Sequence, residues 1–180
     1  MTKLIFTAML LLTSMLSSVY AQQILFQTLT WNEVKQLAQQ ENKPIFVDVY
    51  AEWCGPCKYM TNTVFKDQAV ADFMNKHYIN YKLDGEKGEG INFASTYNLM
   101  AYPTLFFFDA QGNIIHKYVG AADTKEFLEL VENTLLPDNQ LYTLKGKFDA
   151  GQRDNAFVAK YIHVLKNTYE TDLLSAVFDI

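Results

Sequence analysis

The sequence predicts an α/β domain: a central mixed sheet flanked by helices, followed by a C-terminal helical extension. Three observations carry this. Four short apolar runs, Ile45–Tyr50, Tyr78–Leu83, Thr104–Asp109 and Asn113–Val119, read as strands. Segments with helical apolar spacing alternate with them, which is the rhythm of layered α/β folds. The last two strands are joined by Asp109-Ala110-Gln111-Gly112-Asn113, a turn that makes them an antiparallel hairpin.

Taken in order, residues 1–21 stand apart. Lys3 precedes the apolar stretch Leu4–Leu16, and Ser17-Ser18-Val19-Tyr20-Ala21 offers small residues for cleavage after Ala21. An apolar stretch of that length falls short of the roughly 20 residues needed to span a bilayer. The expectation is a cleaved signal peptide, a periplasmic or secreted protein, and no stable membrane span. No cysteine follows the apolar stretch, so a lipid anchor is not expected. Without residues 1–21 the chain has fourteen basic and twenty acidic residues, a net charge of −6. That balance argues against nucleic acid, which draws a basic face.

Gln23–Gln27 is a short strand candidate. Thr30 and Glu33 form a capping box, and Val34, Leu37 and Ala38 repeat at helical spacing up to Pro44. Ile45–Tyr50 is apolar on both faces except at Asp48, as a central parallel strand would be. An edge strand with Asp48 in water is the alternative. A helix is expected from Cys57 to about Phe65, and Asp67 caps the next one. Asp84–Gly90 reads as a mobile loop whose glycines lack phosphate-binding spacing. Asn92–Tyr97 is a short helix, and Asp123 caps a helix whose buried face is Phe127, Leu128, Val131 and Leu135. The domain ends near Leu136. Beyond Pro137-Asp138-Asn139 lie two amphipathic stretches, Asn155–Lys166 and Thr171–Ile180. Two helices without a sheet bury themselves poorly, so they either pack on the main domain or begin a truncated helical array.

Both cysteines of the chain lie in Trp53-Cys54-Gly55-Pro56-Cys57-Lys58, where a strand gives way to a helix. Thiols at that spacing can close a small disulfide ring. A helix N-terminus carries partial positive charge and favours the reactive thiolate. The pattern points to a dithiol/disulfide exchanger. A structural disulfide framework would use more cysteines at wider spacing. A zinc site needs four ligands, and His77, His116 and His163 lie far from the motif and from one another in sequence, so no metal is expected.

Over residues 24–136, some three-fifths of the chain, the sequence resembles thioredoxin. Val47–Lys58 resembles that family's active-site strand and loop, Tyr102-Pro103-Thr104 its cis-proline loop, and Val119-Gly120-Ala121 the glycine before its last helix. The resemblance implies a thioredoxin fold. Cys54 would be an exposed attacking thiolate with a pKa lowered from about 8.5 toward ~7. Cys57, more buried, would resolve the mixed disulfide, with Pro56 fixing the helical geometry. Asp48, paired with Lys82, matches the family's buried acid and would accept the proton of Cys57. Trp53, Gly55, Pro56, Tyr102, Pro103 and Gly120 would form the substrate-binding surface. Tyr50 stands where the family has a second tryptophan, Tyr102 where it has isoleucine, and no proline interrupts Lys58–Phe65. In this segment the chain is more similar to the exported branch, including the soluble carboxyl domain of a bacterial membrane thiol reductase.

The expected function is exported protein thiol–disulfide exchange, as a reductase, with no cofactor beyond the Cys54–Cys57 disulfide. Its partners would be disulfide-containing proteins and a membrane-bound thiol electron donor. The alternatives are an isomerase or oxidant of folding proteins, a partner-binding module using the C-terminal helices, or a Cu(I) metallochaperone.

Overall fold

A computed structural model describes residues 23–178. The expected signal peptide, and with it the expected start of the domain at residue 22, lies outside the described residues. The elements run β1 (Phe26–Gln27), α1 (Trp31–Glu41), β2 (Ile45–Tyr50), α2 (Gly55–Asn62), α3 (Gln68–His77), β3 (Ile79–Asp84), α4 (Glu89–Thr96), β4 (Thr104–Phe108), β5 (Ile114–Val119), α5 (Thr124–Thr134), α6 (Leu141–Asp149), α7 (Asn155–Leu165) and α8 (Thr171–Phe178). A single sheet has the order β1-β3-β2-β4-β5. The β1, β3 and β2 strands are mutually parallel, while β4 and β5 are antiparallel to their neighbours.

Alternation along β2 builds the two cores. Phe46 points to the face covered by Met60, Val64 and Phe65 and by Met74, Phe127 and Val131 of α3 and α5. Ile45, Val47 and Val49 point to the other face, against Val34 and Ala38 of α1 and Phe93 of α4. Because side chains alternate across a strand, Asp48 shares the Phe46 face, beneath α2. It is not on an edge: β2 is the middle strand, and Asp48 pairs in register with Lys82 on one side and Leu105 on the other.

Local chemistry explains most helix limits. Thr30 and Glu33 make the capping box of α1, Asp67 accepts from two amides at the start of α3, and Asp123 with Glu126 makes a second capping box at α5. The helix after the cysteines is shorter than expected. It stops at Asn62, and Val64–Lys66 tighten into a 3₁₀ turn that turns Val64 and Phe65 inward. The first strand shrinks to two residues, with Ile24 instead held by the Phe65 carbonyl.

The C-terminal region differs most from expectation. It holds three helices, because Leu141, Leu144 and Phe148 form α6 ahead of the expected pair. These side chains pack with Phe157, Tyr161, Leu165 and Val177 into a core of their own. The group also closes on β5: the Leu141 amide donates to His116 Nδ1 (3.1 Å), Lys117 Nζ meets Glu170 Oε1 (2.6 Å), and the Val119 amide donates to the Asn167 carbonyl (2.7 Å). Among the described residues no helix is long and apolar enough to cross a membrane.

Candidate active site

The junction between β2 and α2 holds the cysteines as a disulfide, with S–S 2.02 Å and Cα atoms 5.3 Å apart. Cys54 is the N-cap residue: its backbone is extended, and its sulfur accepts from the Cys57 amide at 3.1 Å. The Cys57 amide, one of the orphan N–H groups of the first helical turn, therefore points at Cys54 Sγ, where a thiolate would gain from it. Gly55 and Pro56 open the helix, and proline there costs no hydrogen bond.

One expectation is corrected here. Cys54 is no more exposed than Cys57: each is 2% exposed, packed with Ala51 under Tyr50 and Tyr102. Tyr102 and Tyr50 both pack over the pair. The Tyr102 ring meets Trp53 edge-on at 5.8 Å and lies so close to Gly85 that a Cβ there would sit 2.6 Å from the phenol oxygen.

The Tyr102–Pro103 peptide bond is cis, which brings the loop before β4 against the disulfide. Gly120, at φ +104°, donates its amide to the Pro103 carbonyl at 2.8 Å, a backbone conformation that side-chain-bearing residues resist. The Ala122 amide reaches Met60 Sδ of α2 at 3.4 Å, so the same segment is tied to the cysteine helix. A trough of about 710 Å³ opens beside Trp53 and Tyr102, with Asn98, Leu99, Met100 and Ala101 along it.

Beneath α2, Asp48 is fully buried, and its Oδ2 lies 3.1 Å from Lys82 Nζ. The distance makes an ion pair, but any hydrogen bond across it is poorly aligned. Burial raises the Asp48 pKa, and the charge of Lys82 offsets only part of that. The lysine ammonium hydrogen-bonds Thr61 Oγ1 of α2 and lies among the rings of Tyr50, Phe26 and Phe65, at 4.8, 5.6 and 5.6 Å from their centres.

Two participants were missed by sequence reasoning. Glu86, in the loop expected to be mobile, accepts from the Trp53 indole N–H at 3.0 Å, and Lys87 beside it pairs with Glu52 at 2.5 Å. Thr61 was the other. Nothing in a polar loop or in a helical threonine signals either contact. His116 and His163, distant in sequence, line one cleft of about 410 Å³ between β5, α5 and α7. Among the described residues no group of three or more histidine, cysteine or acidic side chains could hold a metal.

A family model described as a thioredoxin-like domain matches residues 31–135. The chain belongs to the thioredoxin-like family. It is 42% identical to a Bacteroides thetaiotaomicron protein named as a disulphide-isomerase, whose solution structure superposes with a TM-score of 0.59 over 64% of this chain and 96% of that one. It is 33% identical to the thiol:disulfide interchange protein DsbD of Yersinia pestis over 101 residues, 54% of this chain and 17% of that protein. The rice chloroplastic thioredoxin Y is 32% identical over 59% of this chain and 60% of that one. The chain thus spans about a sixth of the length of its DsbD relatives. With the thioredoxin fold, the family and the Cys54–Cys57 pair in place, residues 31–135 form a thiol–disulfide oxidoreductase domain.

Proposed function

We propose that the protein is exported and reduces disulfides in other proteins through Cys54 and Cys57, recharged by a membrane-bound thiol donor. The observation that carries this reading is the disulfide at the α2 N-cap, seated above the buried Asp48–Lys82 pair. In the reduced enzyme the Cys54 thiolate attacks one sulfur of a substrate disulfide, forming a mixed disulfide and expelling the second substrate sulfur as thiolate. Asp48 then takes the Cys57 proton. The Cys57 sulfur attacks Cys54 Sγ, and the bond to substrate breaks with its electron pair on the substrate sulfur. Substrate leaves as a dithiol, and the enzyme is left in the disulfide state described above.

Trp53, Tyr102, the Pro103 loop and Gly120 would form the docking surface, where an extended substrate segment would pair with the backbone before Pro103. The reducing direction is supported by Gly55 and Pro56 between the cysteines and by the lack of a histidine there, since strong oxidants stabilise the thiolate further. Export is supported by residues 1–21, and a reductase in an oxidising compartment needs a thiol donor.

A redox titration tests the direction. A potential of about −230 to −270 mV is expected, and one near −120 mV overturns the reductase reading. The resemblance to a protein named as a disulphide-isomerase favours isomerase action as a second reading. Trapping with Cys57→Ser, which stalls the mixed disulfide on Cys54, identifies the substrates. Catalysed reshuffling of a scrambled substrate by that same variant would favour the isomerase.

A further inference from the structure

Thr61 lies four residues after Cys57 on α2, so the two side chains are neighbours on one helix face. Its hydroxyl accepts a hydrogen bond from Lys82 Nζ at 2.5 Å. The same ammonium is 3.1 Å from Asp48 Oδ2 but off the line of a good hydrogen bond, so what it lends Asp48 beyond its charge is weak. An ammonium has three N–H groups. One is spent on Thr61, and the ammonium stands near the rings of Tyr50, Phe26 and Phe65, the first at 4.8 Å. Lys82 therefore acts on Asp48 chiefly through its charge, while its best-directed hydrogen bond goes to Thr61.

The distinction matters chemically. A hydrogen bond donated to a carboxylate favours the charged form and weakens it as a base. Lys82 is the one charged group whose field on Asp48 is resolved among the described residues. Tyr50 lies two residues on along the same strand, and Cys57 on the helix above. Leu105, its neighbour on β4, carries no charge.

We propose that Thr61 is a positioning residue for the resolving step: its hydroxyl holds the Lys82 ammonium toward α2, leaving the Asp48 carboxylate free to take the Cys57 proton. The inference rests on the reading of Asp48 as proton acceptor given above. Atoms balance as written there: the thiol proton moves to Asp48, the Cys57–Cys54 bond forms, and the substrate thiolate leaves.

The test uses the full chain and single-turnover reduction of insulin, following decay of the mixed disulfide as a function of pH. In Thr61→Val, which keeps the shape and removes the hydroxyl, Lys82 turns to Asp48. The acid limb of the decay rate then moves down by about one pH unit, and the rate at neutral pH falls about threefold to tenfold. The rate of initial attack by Cys54 stays unchanged. Thr61→Ser restores the wild-type profile, and Thr61→Ala reproduces the valine effect should valine perturb the helix. A profile for Thr61→Val and Thr61→Ala that superimposes on wild type overturns the proposal, as does a shift that serine fails to reverse. Asp48→Asn separates the two layers. Loss of the acid limb there, with no shift in the Thr61 variants, removes Thr61 alone; an unchanged limb in Asp48→Asn removes the Asp48 reading itself.

Discussion

Two lysine–carboxylate pairs in this molecule leave water from opposite ends. In Asp48–Lys82 the acid side chain is 0% exposed and the lysine 22%; in Lys117–Glu170 the lysine is 7% exposed and the acid 28%. Both join separate segments, yet they suit different work. Burying the acid disfavours its charged form and keeps it ready to accept a proton under α2. Burying the lysine instead, with its counter-charge partly in water, makes a clamp between β5 and the turn before α8. Which partner is buried sets what each pair is suited to, the proton transfer proposed for the first or the joining of segments in the second.

Breaking the first pair should give the largest effect. Asp48→Asn is expected to slow release of the mixed disulfide by about 10²- to 10⁴-fold at neutral pH, read by single-turnover kinetics. Its stability should change the other way. A raised Asp48 pKa means that the folded chain holds a proton the unfolded chain has released, so this stabilisation is present at low pH and lost as pH rises through the raised value. Asp48→Asn should therefore be more stable than wild type in alkaline urea titrations. Lower stability there would contradict the reading of Asp48 as a strained acid.

Next to the clamp, His116 should show the opposite sign. Burial lowers its pKa from 6.5 to about 4, so the folded state prefers the neutral ring. The Leu141 amide needs that neutral nitrogen as its acceptor. The stability involved is fully present above pH 6.5 and is lost as pH falls toward about 4, a change of about 3 kcal/mol. His116→Gln should flatten the acid side of a plot of Tm against pH while leaving disulfide exchange intact.

Within the clamp itself, Glu170→Gln strands the buried ammonium and should cost about 2 kcal/mol, below the usual range for a fully buried pair because Glu170 is partly solvated. Lys117→Met leaves the acid free to hydrate and should cost about 1 kcal/mol or less. Chemical denaturation of the two variants measures the asymmetry; equal losses would show that burial does not rank the partners. The smallest effect is expected from Glu86→Gln, which weakens the hold on the Trp53 indole. A change of about twofold in KM for protein substrates, with kcat unaltered, is its expected signature.

Part of the site was legible in the sequence because it violated the local pattern. An acid in an otherwise apolar strand announced Asp48, and two cysteines at a strand-to-helix junction announced the disulfide. Contacts that span many residues left no such trace. Tyr102 packs over Cys54 from a separate loop, and Glu86 holds the Trp53 indole from another. The first C-terminal helix was hidden because Gly146 and two lysines interrupt the spacing of Leu141, Leu144 and Phe148. Its burial comes from partners further along the chain. Periodicity reads one segment against water, and it is blind to surfaces supplied by another segment.

The consecutive amides of Val119 and Gly120 donate to different places, one to Asn167 and the other to Pro103. A single residue at the end of β5 thus separates the redox loop from the C-terminal helices. A chain cut after Leu136 would retain both cysteines, Asp48, Lys82 and the proline loop. It would also uncover the rim of the sheet, with a bare backbone donor beside the catalytic loop. Exposed rims of that kind recruit further strands. Such a fragment is expected to keep disulfide exchange and to self-associate, where the longer chain stays apart; size-exclusion chromatography of the two lengths reads the difference.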